Sequence, residues 1–191
     1  MAQPTAILRK EHEAIERMLA AAEQLAGKLE RGETVRGPLL EEISEFFAVF
    51  VDKCHHGKEE EFLFPTLEKK GMPVDGGPIG VMLHEHEEGR ALARRLAERA
   101  KAYGAGDAAA GKEWAAAARR HARLLREHIQ KENIVLFPMA EGLLSPAEED
   151  AMTANFERME EEKIGHGTHE RLHARMGEIV KEAAGAAARG A

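Results

Sequence analysis

The chain has 191 residues, a formal net charge of −7 and 5% aromatic residues. One domain with a sizeable core fits this length, and the abundance of alanine, leucine, glutamate, lysine and arginine predicts an all-α protein. The acidic balance, with basic side chains interspersed among glutamates, gives no electrostatic footprint for nucleic acid or an anionic membrane, so neither partner is expected.

Nothing in the sequence directs the chain to a membrane or to an oxidising compartment. The first segment, "MAQPTAILRKEHEAI", becomes charged before an apolar core of signal-peptide length develops, and no later run approaches a membrane span. The single cysteine, Cys54, excludes an intramolecular disulfide. We therefore expect a cytoplasmic protein.

Four long amphipathic patterns occupy residues 4–140. Thr5 can cap the first helix, which ends near Gly32. Short loops rich in glycine and proline separate the patterns, as in an up-down-up-down arrangement. We therefore expect an antiparallel four-helix bundle. The other three helices are predicted from about Pro38 to Pro65, from Ile79 to Tyr103 and from Ala108 to Phe137.

Two additional helices are predicted after the bundle. The segment "SPAE" at Ser145 is a capping box with proline at the first helical position, and it predicts a short helix. Thr168 can cap a last amphipathic helix. We expect residues 145–185 to form a helical extension that packs on the bundle. Residues 186–191, rich in alanine and glycine, are expected to form a frayed tail.

The second and fourth helices share a motif. Aligning "CHHGKEEEFLFPTLE" with "EHIQKENIVLFPMAE" matches His55 with His128 at an offset of 128 − 55 = 73 residues. The "EHE" segments of the first and third helices also match, with His12 aligned to His86 at 86 − 12 = 74 residues. Chance similarity does not readily produce several such matches in register. Each of two helical hairpins therefore offers one histidine from its first helix and His-x-x-x-Glu from its second.

Helical phase separates inward from outward polar residues. His55 shares an apolar stripe with Val51 and Phe62, whereas His56 lies beside Asp52 and has an isoleucine as its counterpart in the repeat. His56 is therefore predicted to lie on the flank of its helix, where its loss would largely spare the site. The inward candidates are His12, His55, Glu59, His86, His128 and Glu132.

The spacing of these candidates suits a pair of metal ions. Residues four apart on a helix lie about 6 Å apart along its axis, so a histidine can bind one metal while the glutamate one turn away reaches between two. Buried carboxylates are costly without compensation, and two divalent cations would compensate both. Imidazole and carboxylate ligands suit iron or manganese, whereas zinc would fit without bringing redox chemistry.

The segments "EHEAI", "CHHGKEEEFLFP", "EHEEGR" and "HIQKENIVLFP" carry a resemblance to a known family. In order and in phase, they resemble the hemerythrin-like (HHE cation-binding) family over roughly residues 4–140. The resemblance implies an antiparallel bundle around a non-heme diiron centre, bridged by two carboxylates and often by an oxo or hydroxo group. It also implies that the six inward candidates are the metal ligands.

One departure from the family concerns a fifth histidine. Oxygen-carrying hemerythrins are similar in fold but take this histidine from an i, i+4 pair on the third helix, whereas here His84 and His86 are two residues apart. His86 is the better candidate of the two because it aligns with His12. A fifth nitrogen could come from His56, from His84 or from the C-terminal segment. In that segment, His169 either closes the open side of the metal site or belongs to a helix that only packs there.

Three functions remain open from the sequence. The leading hypothesis is a non-heme diiron protein that binds or reduces a small oxidant such as O2, peroxide or nitric oxide; whether it turns over as a peroxidase or nitric oxide reductase is left undecided. The second is iron storage or sensing, or iron donation for iron–sulfur cluster repair. The third is a structural or interaction module held together by zinc.

Overall fold

The computed structural model describes residues 3–165 and 167–185, and this part of the chain contains six helical segments and no strand. Four of the segments form the predicted bundle and two follow it, which confirms the all-α fold class. The sequence places residues 186–191 in a frayed tail, and they lie outside the described residues. The helices are α1 (Pro4–Glu30), α2 (37–69), α3 (Pro78–Gly104), α4 (108–143), α5 (146–165) and α6 (Thr168–Gly185).

The helix starts follow local sequence rules. Asp107 caps α4 by accepting hydrogen bonds from the backbone N–H groups of Ala109 and Ala110, at 3.0 and 3.3 Å. The predicted capping box of α5 is present, with Ser145 and Glu148 bonded reciprocally. The cap predicted for α1 is wrong: the helix starts at Pro4, so Thr5 lies inside its first turn, and Gln3 at the cap position makes no side-chain cap.

Two of the bundle helices contain π-helical turns. In α2 they span Phe47–His56 and Glu59–Leu63, and in α4 they span Glu132–Leu136. A π-helix bonds residue i to i+5 and therefore holds more residues per turn than an α-helix, and such turns occur frequently at functional sites. The candidate ligands of α2 and α4 lie in or beside these wide turns, which the 3.6-residue period does not reveal.

The polar candidate residues lie between two apolar clusters. The larger cluster fills the long part of the bundle around Phe46, Phe47 and Trp114. The smaller one, at the end where α2 and α4 finish, contains Phe64 and Phe137. Apolar layers on both sides keep the polar layer out of contact with bulk water, so any charge there must be neutralised locally.

The C-terminal helices pack onto the bundle through both clusters. Met176 and Leu172 of α6 enter the larger cluster, and Phe156 of α5 enters the smaller one. The buried Lys28 donates a hydrogen bond to the carbonyl of Ala183 at 2.7 Å, which satisfies an acceptor near the end of α6. None of the described helices is long and apolar enough to cross a membrane.

Candidate metal centre

Four histidines, one from each bundle helix, converge in the polar layer. His12 of α1 and His55 of α2 approach each other with their Nε2 atoms 3.0 Å apart. His86 of α3 and His128 of α4 do the same at 3.1 Å. Each of the four is at most 2% exposed. The two pairs are related by the repeat, so the pseudo-twofold arrangement expected from the sequence is present in the geometry.

Two glutamates lie between the histidine pairs. Glu59 places Oε1 3.7 Å from His55 Nε2 and Oε2 3.4 Å from His86 Nε2. Glu132 places Oε2 3.1 Å from His12 Nε2 and Oε1 3.3 Å from His128 Nε2. Each carboxylate therefore reaches both pairs. This is the bridging position that the i, i+4 spacing predicted.

The six candidates form two overlapping groups of four. In each group the possible ligand atoms all lie within 4.8 Å of one another. The oxygens of Glu59 and Glu132 are buried, and none of them accepts a hydrogen bond from the part of the chain that the structure describes. The first group is His12, His55, Glu59 and Glu132, and the second is Glu59, His86, His128 and Glu132.

The outer nitrogen of each histidine fixes the state of the inner one. All four Nδ1 atoms lie 2.6–3.0 Å from a side-chain oxygen of Glu11, Glu60, Glu85 or Asn133. A carboxylate or amide oxygen can only accept, so each Nδ1 carries a proton, and a ring in its neutral form then presents a lone pair at Nε2. Four lone pairs and two carboxylates thus face one small space, an electron-rich donor set that fits two cations.

Burial keeps two of the histidines in the form that binds metals and favours a proton on Glu59. It lowers the pKa of His86 to about 3 and moves the pKa of His55 well below the usual range for histidine, so the imidazoles are neutral. Burial, together with the neighbouring Glu132 carboxylate, raises the pKa of Glu59 well above its ordinary value. A proton at Glu59 is therefore what a bound cation would displace.

Two lysines support the outer carboxylates. Lys58 pairs with Glu11, which accepts from His55, and Lys131 pairs with Glu85, which accepts from His128. The two sets of hydrogen-bonded side chains, each a lysine, a glutamate and a histidine, are related by the repeat. They were not predicted as part of the site, although the alignment already matched Lys58 with Lys131 and the "EHE" segments with each other.

The other two histidines are also held in a repeat-related way, but by partners from the opposite hairpin. His12 donates to Asn133 of α4 at 3.0 Å, and His86 donates to Glu60 of α2 at 2.6 Å. Asn133 and Glu60 are equivalent in the repeat, since 133 − 60 = 73. Each of these histidines is therefore oriented by the other hairpin. Arg90 fixes Glu60 from α3 at 2.7 Å.

The prediction that His56 lies on the flank of α2 is wrong. His56 is 2% exposed, and its ring stacks on that of His86 with centroids 3.8 Å apart. It forms a further group of possible ligands with His86 and His128, and neither of its nitrogens has a hydrogen-bond partner among the described residues. The wide turns around His55 place both adjacent histidines inward, which an α-helical phase would not do.

The other two secondary candidates are not brought to these groups. His84 is exposed on α3. His169 lies against Phe50, with ring centroids 5.1 Å apart, and its Nδ1 is 3.6 Å from Cys54 Sγ. The expectation that His169 could close the open side of the site therefore fails, because α6 places it next to a different cluster.

The cluster beside His169 already contains a positively charged side chain, Lys58. Glu11, Cys54, Glu160 and His169 have ligand atoms close enough to hold a metal. However, the ammonium of Lys58 already pairs with both carboxylates, and burial raises the pKa of the Cys54 thiol to about 12. A protonated thiol and neutralised carboxylates give this cluster no need for a metal ion.

The chain is similar to several known proteins. A family described as hemerythrin HHE cation binding domain matches residues 3–140. Uncharacterized proteins of Mycobacterium bovis and Mycobacterium tuberculosis are each 26% identical over 174 residues, covering 91% of this chain and 68% of theirs. The iron-sulfur cluster repair protein DnrN of Neisseria gonorrhoeae is 38% identical over 86 residues, covering 44% of this chain and 54% of its own length.

Proposed function

Because the chain belongs to the hemerythrin HHE cation-binding family, we propose that it is a diiron protein that binds or reduces a small oxidant such as O2, peroxide or nitric oxide. The observation that carries the proposal is the pair of buried carboxylates, Glu59 and Glu132, whose oxygens have no hydrogen-bond partner among the described residues and lie between four imidazole lone pairs. Buried groups of this kind demand a cation.

We propose iron as the metal, although the donor set would also suit manganese. Mixed imidazole and carboxylate ligation suits iron, and each group of four offers two nitrogens and two carboxylates. Bound iron would supply one-electron redox chemistry toward small oxidants. The apolar clusters above and below the site restrict the reactant to molecules small enough to diffuse through a packed interior.

The protein's own contribution is orientation and asymmetry. Glu11, Glu60, Glu85 and Asn133 hold the four imidazoles with Nε2 inward, as outer partners do in metal sites. The group that contains His86 can take His56 as an additional nitrogen donor, whereas the group that contains His12 has no such neighbour among the described residues. We propose that the oxidant binds on the side with fewer donors.

Anaerobic reconstitution tests this function directly. The full chain, freed of metal with a chelator, is titrated with ferrous iron and then exposed to air, peroxide or nitric oxide. We expect two irons to bind per chain. At least one of these oxidants should then produce ferric charge-transfer absorption in the near ultraviolet. A chain that takes up zinc with two ions bound but gives no spectral response with iron under any oxidant would show a structural zinc module instead.

A second candidate function is iron supply for iron–sulfur cluster repair. It is favoured by the similarity, over 44% of this chain, to the iron-sulfur cluster repair protein DnrN. The two functions differ in how firmly iron is held. A donor should release iron to a mild chelator within minutes and rebuild a damaged cluster on an acceptor protein, whereas a redox centre should retain iron under the same conditions.

A further inference from the structure

Large apolar side chains are exposed on one face of the bundle. The sequence spacing of Val135, Met139 and Leu143 is four residues, so they form a stripe on the last turns of α4, with Ile134 beside it. Among the described residues, these four and Val81 of α3 are the large hydrophobic side chains that are exposed. Their exposed fractions are 46% for Val81, 64% for Ile134, 46% for Val135, 42% for Met139 and 38% for Leu143.

Val81 belongs to the same face as the stripe. Glu85 of α3 pairs with Lys131 of α4 on the outer side of the metal centre. Val81 lies four residues before Glu85, and Val135 lies four residues after Lys131. Because α3 and α4 are antiparallel, both steps lead toward the same end of the bundle. The step on α4 crosses the π-helical residues Glu132–Leu136, so the exposure of Val135, rather than its spacing, shows that it faces outward. The five side chains therefore form one apolar patch, hereafter the α3–α4 patch.

The α3–α4 patch is poor in charge. Between Ile134 and Leu143 the only charged residue is Glu141, which pairs with Arg9, and the first six residues of α3 carry no charge. The chain as a whole is 32% charged. A single apolar side chain on a surface is ordinary, but a contiguous patch with few charges marks a contact site.

The internal repeat shows what covers the equivalent face of the first hairpin. The counterparts of Val81 and Val135 are Ile7 (81 − 74 = 7) and Phe62 (135 − 73 = 62). Both are only partly buried side chains that pack in the smaller cluster, where Phe62 meets Phe156 of α5 with ring centroids 6.0 Å apart. Within residues 3–165 and 167–185, the C-terminal extension therefore covers this face of the first hairpin and not that of the second.

The covered face also carries charges that the bare one lacks. Glu61 pairs with Lys163 of the extension, and Lys70 pairs with Glu148. The residues equivalent to Glu61 and Lys70 are Ile134 (61 + 73 = 134) and Leu143 (70 + 73 = 143). The second hairpin has apolar side chains where the first has charges matched to its cover. Its partner surface should therefore be apolar and uncharged rather than a copy of the extension.

We propose that the α3–α4 patch docks against the same patch of a second copy of this chain. An acidic or basic partner finds no complementary charge on this surface. An identical patch supplies an apolar, charge-poor surface, and a two-fold axis makes such a contact self-complementary. Two copies with a net charge of −7 each repel one another elsewhere, so the charge-poor face is where they can approach. Five exposed side chains make a small patch compared with the interface of an obligate dimer, so the dimer should be reversible.

Sedimentation velocity of the full metal-free chain over a range of concentrations tests the proposal. We expect a monomer–dimer equilibrium with a dissociation constant in the micromolar range. The variants Ile134→Glu and Val81→Glu, which introduce charge on α4 and α3, should each weaken the dimer at least tenfold. The matched control is Ala116→Glu, an exposed position on α4 outside the patch, which should leave the equilibrium unchanged.

The remaining outcomes overturn the proposal. If the wild-type chain stays monomeric at about 0.5 mM, any binding free energy between two copies is weaker than roughly 4–5 kcal/mol. Such a result would rule out the proposed dimer. A dimer that survives both charged variants uses another surface. Thermal unfolding of each variant accompanies the measurement, and the substituted positions are exposed, so unchanged unfolding shows that any lost dimer reflects the surface rather than the fold.

Discussion

His56 stacks on His86 with ring centroids 3.8 Å apart and an angle of 13° between the ring planes. One ring of this pair has an outer hydrogen-bond partner in Glu60, and the other has none among the described residues. An unpartnered buried imidazole costs free energy unless it binds something. We therefore propose His56 as the fifth nitrogen donor that the third helix does not provide.

The variant His56→Ala tests that role. We expect two iron ions still to bind, but one of them about 10–100-fold more weakly, because one metal loses a nitrogen donor while the other keeps its ligands. Competition titration with a chromogenic chelator measures both affinities. His84→Ala is the matched control, since His84 is exposed on α3 and should not alter either affinity. Two unchanged affinities in His56→Ala would show that its ring only packs against His86.

Glu59→Gln separates metal binding from folding. Burial and Glu132 already raise the pKa of Glu59, so an uncharged amide of the same shape should leave the metal-free protein at least as stable as the wild type. Ferrous iron should raise the Tm of the wild type under anaerobic conditions by mass action and leave that of the variant nearly unchanged. Equal increases in Tm would mean that Glu59 does not bind metal.

Lys58→Met and Lys131→Met compare the two halves of the repeat. Lys58 is 0% exposed and pairs with the buried Glu11 and the partly exposed Glu160, so its loss leaves the Glu11 carboxylate without its cation and should cost about 3–5 kcal/mol. Lys131 is 42% exposed and pairs with Glu85 alone, so its loss should cost less than about 1 kcal/mol. Urea denaturation of the metal-free variants measures both. Similar losses would contradict the asymmetry of burial.

The stability of the metal-free protein should fall in acid through His121. Burial lowers the pKa of His121 to about 3, against 6.5 in the unfolded chain. Below pH 6.5 the unfolded chain binds a proton at His121 that the native chain does not bind. The contribution of neutral His121 to the free energy of unfolding is therefore fully present above pH 6.5 and decreases as the pH falls toward 3. Between pH 7.5 and 5, the wild type should lose about 2 kcal/mol more than His121→Leu.

Urea denaturation in the presence of a chelator, at both pH values, checks this difference. His121 does not belong to any group of candidate ligands among the described residues, and its ring packs against Phe47 with centroids 4.6 Å apart. The buried His56 and His86 titrate equally in both proteins and cancel in the comparison. Parallel pH profiles for the two proteins would mean that His121 is protonated without cost in the native state.

The sequence was sufficient for the fold and for the six convergent residues, because both depend on patterns that repeat along the chain. Helical phase and the offsets of 73 and 74 residues selected the same side chains that the structure brings together. His56 was misplaced because a π-helical turn changes which residues share a face, and no local pattern announces that turn. The sequence left two positions open for His169 because the position of α6 depends on tertiary packing, which no pattern along the chain records.

The candidate ligands and their hydrogen bonds are shared between the two hairpins, which relates metal binding to the docking of the hairpins. Each group of four takes three ligands from one hairpin and its last carboxylate from the other, and Asn133 and Glu60 reach across in the same way. Neither hairpin contains a complete site. The candidate centre lies at the interface between the two hairpins, so we expect it to bind metal only after the hairpins have docked, and bound metal would then report an assembled bundle.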